Sequence, residues 1–116
     1  MRKRKPQPLS SSMLEAVAVQ FRALSEPARL RLMEALFDGE HSVQELAEAT
    51  GLSPANTSKH LGTLAAAGLL VRRKDGVRVL YAVVDDTPRQ LCDLMCARVR
   101  QNAQDALHRV SSRPEA

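Results

Sequence analysis

Leu52-Ser53-Pro54-Ala55-Asn56-Thr57-Ser58-Lys59-His60-Leu61-Gly62-Thr63-Leu64-Ala65-Ala66-Ala67-Gly68 begins and ends like a helix. Ser53 is placed to cap the first turn, and Pro54 suits the first helical position. Gly68 can take the left-handed conformation just past the end. Thr57, Leu61, Leu64, Ala65 and Gly68 recur at spacings of three and four and form one inward face. Pro54, Ala55, Asn56, Ser58, Lys59, Gly62, Thr63 and Ala66 fall on the other side. That face is small, polar and free of acids. A helix built only to stay soluble would carry Glu and Lys there, so this one is built to lie against another surface.

Upstream, Ser42-Val43-Gln44-Glu45 is a capping box that opens a short helix ending near Thr50-Gly51, with Val43, Leu46 and Ala47 inward. Only Gly51, Leu52 and Ser53 separate it from the next helix, the spacing of a helix-turn-helix. After Gly68 the pattern changes from helical to alternating. Leu69 to Lys74 and Val77 to Val84 flank Asp75-Gly76, a signal for a hairpin with a type I′ turn. Arg72, Arg73, Lys74 and Arg78 cluster at its tip. Basic residues on an edge strand also discourage aggregation, but this density beside an acid-free helix favours a binding role.

A capping box at Ser12-Met13-Leu14-Glu15 starts a first helix, with Leu14, Val17, Ala18, Phe21 and Leu24 as its stripe. Ser25-Glu26-Pro27 restarts the chain, and Ala28 to Phe37 continues as a second helix until Gly39. Thr87-Pro88-Arg89-Gln90 reads as a third capping box, opening a last helix to about Val110. Leu91, Leu94, Met95, Val99, Ala103, Ala106, Leu107 and Val110 give it a long apolar stripe that so small a body cannot cover. Apolar surplus on both terminal helices points to a symmetric dimer. The expected fold is mainly α with a small β-hairpin: a winged helix-turn-helix of five helices plus wing over residues 11–111, dimerising through the terminal helices. Residues 1–10 and 112–116 are expected to be disordered tails.

At 116 residues the chain is one small domain. Phe21, Phe37 and Tyr81 are its only aromatic residues, so the core must be largely aliphatic. The net charge of +4 is accounted for by Arg2, Lys3, Arg4 and Lys5, a tail that either solubilises or adds non-specific affinity for nucleic acid. Elsewhere the chain is neutral overall but unevenly charged. Acids crowd between Glu34 and Glu48, and none occurs between Glu48 and Asp75, where Lys59, Arg72, Arg73 and Lys74 lie. Such a footprint suits a polyanionic partner. Cys92 and Cys96 cannot build a disulfide framework, no signal-like run follows the basic start, and no segment reaches the ~20 apolar residues of a membrane span. A cytoplasmic location is expected. Nothing marks an enzyme: there is no nucleophile–base pair, phosphate loop or metal triad, and the three histidines are isolated, with His41 and His108 reading as surface residues.

Leu24-Ser25-Glu26-Pro27-Ala28-Arg29-Leu30-Arg31-Leu32-Met33 resembles the "L-x-D/E-P-x-R-L-x-I/L-L" opening of the arsenic-repressor (ArsR/SmtB-type) family. Val43 to Ala47 is similar to that family's helix before the turn. Ser53 to Leu64 is similar to its recognition helix, "S-x-x-x-V/T-S-x-H-L-x-x-L". Ala67 to Val71 and the Arg-rich wing with Tyr81 continue the likeness, which runs from about Phe21 to Val84. The resemblance implies a homodimeric bacterial repressor on a palindromic double-stranded DNA operator. It puts Ser53 at the helix start, Pro54, Ala55, Asn56, Ser58, Lys59 and His60 at base edges, and Arg72, Arg73, Lys74 and Arg78 at wing contacts. His60 stands between two roles, holding the helix in place and reading bases. Side-chain chemistry supports the same division, since short side chains reach bases while basic ones fix register on phosphates. The alternatives are a winged-helix regulator with no metal or redox sensing, a winged helix used as a protein-interaction module, and a non-specific chromatin-like DNA binder.

Members of this family commonly release DNA on binding a metal, metalloid or oxidant. The family's Cys-x-Cys site before the turn is absent here, where the helix reads Glu45-Leu46-Ala47-Glu48-Ala49, and Asp93, Asp105 and His108 lack the spacing of its last-helix site. Cys92 and Cys96 remain, one turn apart, with Cβ atoms expected ~5–6 Å apart. That is too far for an undistorted disulfide, which needs about 3.5–4.5 Å, but suits two thiolates on one thiophilic metal or metalloid ion, with a third ligand from a partner subunit. Plain core packing and a redox switch across a dimer are the other two readings.

Overall fold

The computed structural model describes residues 7–112, with side chains as far as residue 111. The basic run at residues 2–5 and the end of the chain beyond residue 112 lie outside the described residues. The elements run α1 (Ser11–Leu24), α2 (Pro27–Leu36), β1 (His41–Ser42), α3 (Val43–Thr50), α4 (Pro54–Ala66), β2 (Leu70–Asp75), β3 (Arg78–Val83) and α5 (Thr87–Ser112). The fold is a winged helix-turn-helix: five helices with a small antiparallel sheet in the order β1-β3-β2. Contacts divide the chain into two compact units, one ending at Val84 and the other starting at Asp85.

In the first unit Leu32, Met33 and Leu36 of α2, Leu46 of α3, and Leu61 and Leu64 of α4 are essentially fully buried. Each such side chain contributes roughly 1.5–3 kcal/mol relative to an exposed one. The core is aliphatic apart from Tyr81, which is buried on β3, whereas Phe21 is 56% exposed. The α1 stripe is therefore only partly inward. Ala23 and Leu24 in its last turn are buried, Val17 and Ala18 are half-buried, and Leu14 stays exposed with Phe21.

Local signals explain most boundaries. Ser42 and Glu45 exchange both bonds of a capping box, at 2.9 and 3.1 Å. Ser53 Oγ accepts from the Asn56 N–H at 3.1 Å, and Pro54 opens α4. The end of α4 carries both bonds of a Schellman motif, Leu69 N–H to Leu64 O and Gly68 N–H to Ala65 O, with Gly68 at φ +82°.

Three local expectations shift. The first helix is capped by Ser10, whose Oγ accepts from the Met13 N–H at 3.1 Å, two residues before the expected box. Three consecutive serines can each cap, and the earliest gives the longest helix. At α5, Asp85 Oδ1 accepts the Thr87 N–H at 2.8 Å in place of a Thr87–Gln90 box, and this bond lowers the Asp85 pKa. The hairpin pairs Asp75 with Arg78, so the loop is Gly76-Val77. Gly76 has φ +63° and Val77 no positive φ, the II′ pattern and not the I′ one.

The second unit is one helix of 26 residues, about 39 Å long at 1.5 Å per residue. Leu94, Met95, Val99, Leu107 and Val110 along it are all exposed. No described helix is long and apolar enough to cross a membrane.

Candidate nucleic-acid interface

Helix α4 is anchored from one side only. Thr57, Leu61 and Leu64 are fully buried, and the Thr57 hydroxyl donates to Ser53 O at 2.8 Å. Every residue of the opposite face (Pro54, Ala55, Asn56, Ser58, Lys59, Gly62, Thr63 and Ala66) is exposed. The Ser53 oxygen is committed to its own helix, but its O–H remains a donor at a helix N-terminus, where anions are favoured.

His60 is half-buried at the edge of this face. Its Nδ1 lies 3.4 Å from Arg29 Nη1 of α2. Arg29 was not among the expected site residues. The signal was available in the sequence: Arg29 occupies the same helical stripe as Leu32, Met33 and Leu36, and a cation on an inward stripe implies polar partners there.

The wing sorts its cations by strand face, because successive residues alternate. Arg73 and Arg78 share one face, and acids hold both. Arg73 Nε and Nη2 reach Glu40 at 2.6 and 2.7 Å, and Arg78 Nη2 reaches Glu45 Oε1 at 2.9 Å. The bond from Arg73 lowers the Glu40 pKa. Arg72 and Lys74 share the other face, and both are exposed and form no ion pair among the described residues.

Glu45 is the centre of a small network. Oε1 accepts the Ser42 N–H and the Arg78 guanidinium, while Oε2 lies 3.7 Å from His41 Nδ1. The Ser42 backbone bond is the main cause that lowers its pKa to about 2. His41 also meets Asp38 at 3.0 Å, the main cause of its raised pKa, so it is part of an ion-pair chain and not a lone surface residue.

Residues 26–71, from the start of α2 through the helix-turn-helix into β2, match the bacterial regulatory protein, arsR family. The transcriptional regulator NmtR of Mycobacterium tuberculosis is 35% identical over 92 residues, 79% of this chain and 77% of that one. The chain belongs to the arsR family. A second member, a probable mercury resistance operon repressor of Streptomyces lividans, is 38% identical over 78 residues, 67% of this chain. The chain spans 61% of that repressor's length, less than two thirds. Among solved structures, the homodimeric winged helix-turn-helix DNA-binding domain (fragment 1–100) of Mb0332 from Mycobacterium bovis, described as a possible ArsR-family transcriptional regulator, matches with a TM-score of 0.74 at 26% identity. That match covers 85% of this chain and 92% of the other.

On α5, Cys92 is half-buried and Cys96 exposed. Among the described residues no group of three or more His, Cys, Asp or Glu could hold a metal ion. Two thiols at i and i+4 match the donor chemistry of a soft ion but supply fewer ligands than a closed site needs.

Proposed function

We propose that this chain is a sequence-specific DNA-binding transcriptional repressor, acting as a homodimer on a palindromic operator in the cytoplasm and carrying no enzymatic activity. The observation that carries the reading is the wholly exposed, acid-free outer face of α4 beside a wing whose Arg72 and Lys74 have no acidic partner among the described residues. In this reading Pro54, Ala55, Asn56, Ser58, Lys59 and His60 meet base edges. Ser53, Arg72 and Lys74 meet phosphates at once, and Arg73 and Arg78 do so after leaving their acids. The exposed stripes of α1 and α5 supply the dimer contact, as supported by the homodimeric relative.

Selection of bound genomic fragments, followed by titration of the recovered duplex, tests the function. A recurrent palindrome is expected, with Asn56→Ala and Lys59→Ala each losing affinity for it. Weak binding indifferent to sequence would sink the repressor reading and leave a protein-interaction module.

The effector in this reading is a thiophilic metal or metalloid held by Cys92 and Cys96 of one protomer and completed from its partner. The kinship with a mercury-resistance repressor supports this, as does the exposure of Cys96. Coupling of ~1–3 kcal/mol would relieve repression 5–150-fold. Operator-bound protein titrated with arsenite, zinc, cadmium and a peroxide is expected to lose DNA at a thiophile, and the Cys92→Ser/Cys96→Ser protein to keep it. Identical release curves for the two proteins overturn the thiol site, and release by peroxide alone replaces it with a redox switch.

A further inference from the structure

Arg29 joins three helices. Its Nε donates to Ala23 O at 2.6 Å and its Nη2 to Arg22 O at 3.3 Å, two carbonyls in the last turn of α1. Its Nη1 lies 3.7 Å from Glu26 Oε2 and 3.4 Å from His60 Nδ1 on α4. The side chain is only 16% exposed, so these partners are met with little competition from water. Helix α1 also grips the far end of α4, where the Gln20 carboxamide donates to Ala67 O.

The chemistry at the His60 end is one-sided. A guanidinium has five N–H donors and no acceptor. The ring nitrogen facing it must therefore accept, and a neutral imidazole that accepts at Nδ1 carries its proton on Nε2. Among the described residues no protein group bonds His60 Nε2. The ring is half-buried at the margin of the exposed face of α4, with Lys59 beside it in sequence.

We propose that Arg29 is a positioning residue for DNA recognition: it fixes His60 as the Nε2–H tautomer, so that α4 presents a single, pre-set N–H donor to an acceptor on the DNA. This rests on the proposed function, and it adds which proton His60 offers and what holds it there. The acceptor is a phosphate oxygen or an acceptor on a major-groove base edge, guanine N7 or O6, adenine N7 or thymine O4. Lys59 and Asn56 can reorient to suit several partners. A His60 ring with one tautomer has a single choice, so what α4 offers the DNA at this position is set by α2 as well as by α4.

The first measurement needs neither DNA nor a variant. Ring nitrogen chemical shifts of His60 in the full chain near pH ~8, where a free imidazole is neutral, are expected to show protonated Nε2 and bare Nδ1. The opposite tautomer, or an even mixture, overturns the proposal even if the protein binds its operator well. Arg29→Gln is expected to scramble the tautomer and to weaken operator binding by about tenfold, the upper range for one net hydrogen bond. In a His60→Gln background, whose carboxamide offers a donor without a tautomer, Arg29→Gln should cost clearly less. Independent, multiplying losses would show that Arg29 acts only on folding. Arg29→Met, which has no N–H donor to offer the ring, serves the same cycle if Arg29→Gln unfolds. A loss shared by operator and scrambled duplex assigns the acceptor to phosphate, and a loss on the operator alone assigns it to a base. Failure of the wild-type chain to bind any duplex would remove the proposed function while leaving the tautomer result intact.

Discussion

Arg73 and Glu40 form a two-pronged ion pair, Nε to Oε2 at 2.6 Å and Nη2 to Oε1 at 2.7 Å, between the wing and the residue preceding β1. Both side chains are substantially exposed, so the pair does little for stability. It does occupy the guanidinium that the proposed phosphate contact needs. Glu40→Gln is therefore expected to tighten binding to operator and scrambled duplex alike, by up to about fivefold, the ceiling that exposed pairs set. The slope of log affinity against log salt should steepen by about 0.9, one phosphate contact's worth. Weaker binding by this variant would mean that Glu40 orients the wing and does not restrain it.

Arg78 stands in the same position toward Glu45, at 2.9 Å. Arg78→Ala is expected to weaken binding to every duplex by a similar factor and to flatten the salt slope by about 0.9. A change confined to operator preference would take Arg78 off the phosphates. Because Arg78 is exposed and paired on one side only, the melting temperature should barely move.

These pairings were the part of the site that the sequence hid. Arg73 and Arg78 each lie 33 residues from the carboxylate that holds them, and only the fold brings the acid-rich stretch from Glu34 to Glu48 against the wing. The helix-turn-helix itself was legible, because Ser42, Glu45, Ser53, Pro54 and Gly68 are local devices that act within one turn. The wing was legible as a hairpin but read one position early, since Asp75-Gly76 carries the usual turn signal while the pairing of Leu70 with Val83 sets the register and pushes the turn to Gly76-Val77. The Phe21 side chain reads as core by spacing and is exposed, because the inward edge of α1 runs through Val17, Gln20, Ala23 and Leu24 and Phe21 lies to one side of it.

The chain of His41, Asp38 and Glu45 makes stability depend on pH in two separate windows. His41 has a raised pKa, so its contribution is complete below its ordinary 6.5 and is lost as pH rises through the folded value. Between about pH 6 and about pH 8 the wild type should lose more melting temperature than His41→Gln. Glu45 has a lowered pKa, so its contribution is present above its ordinary 4.5 and is lost as pH falls toward about 2. Glu45→Gln should flatten that acid limb while keeping the cap, because a Gln at this position still accepts the Ser42 N–H. Parallel pH profiles for wild type and variants would show that the network carries no linkage.

Gly68 ends α4 at φ +82°, and a side chain built there would meet nothing within 4 Å. The cost of Gly68→Ala is thus conformational and not steric crowding from neighbours, roughly 1–2 kcal/mol for a left-handed non-glycine residue. Asn tolerates that region better, so Gly68→Asn should recover part of the loss. Chemical denaturation of the three proteins gives the order Gly, Asn, Ala from most to least stable. An Ala variant as stable as wild type would mean that the chain leaves α4 by another turn.

Thr57 separates packing from hydrogen bonding beneath the exposed outer face of α4. It is fully buried, and its hydroxyl donates to Ser53 O, which already accepts the Thr57 N–H at 2.9 Å. Thr57→Val keeps the shape and leaves that carbonyl satisfied, so its cost should stay near ~1 kcal/mol or below. Leu61→Ala, one turn on and equally buried, removes core volume and should cost ~2–5 kcal/mol. The two changes should also differ in what they do to DNA binding. Thr57→Val leaves α4 seated and operator affinity intact, whereas Leu61→Ala loosens the helix that presents Asn56, Ser58 and Lys59, and affinity falls with stability. Equal denaturation midpoints for the two variants would mean that the hydroxyl, and not the leucine packing, seats the helix.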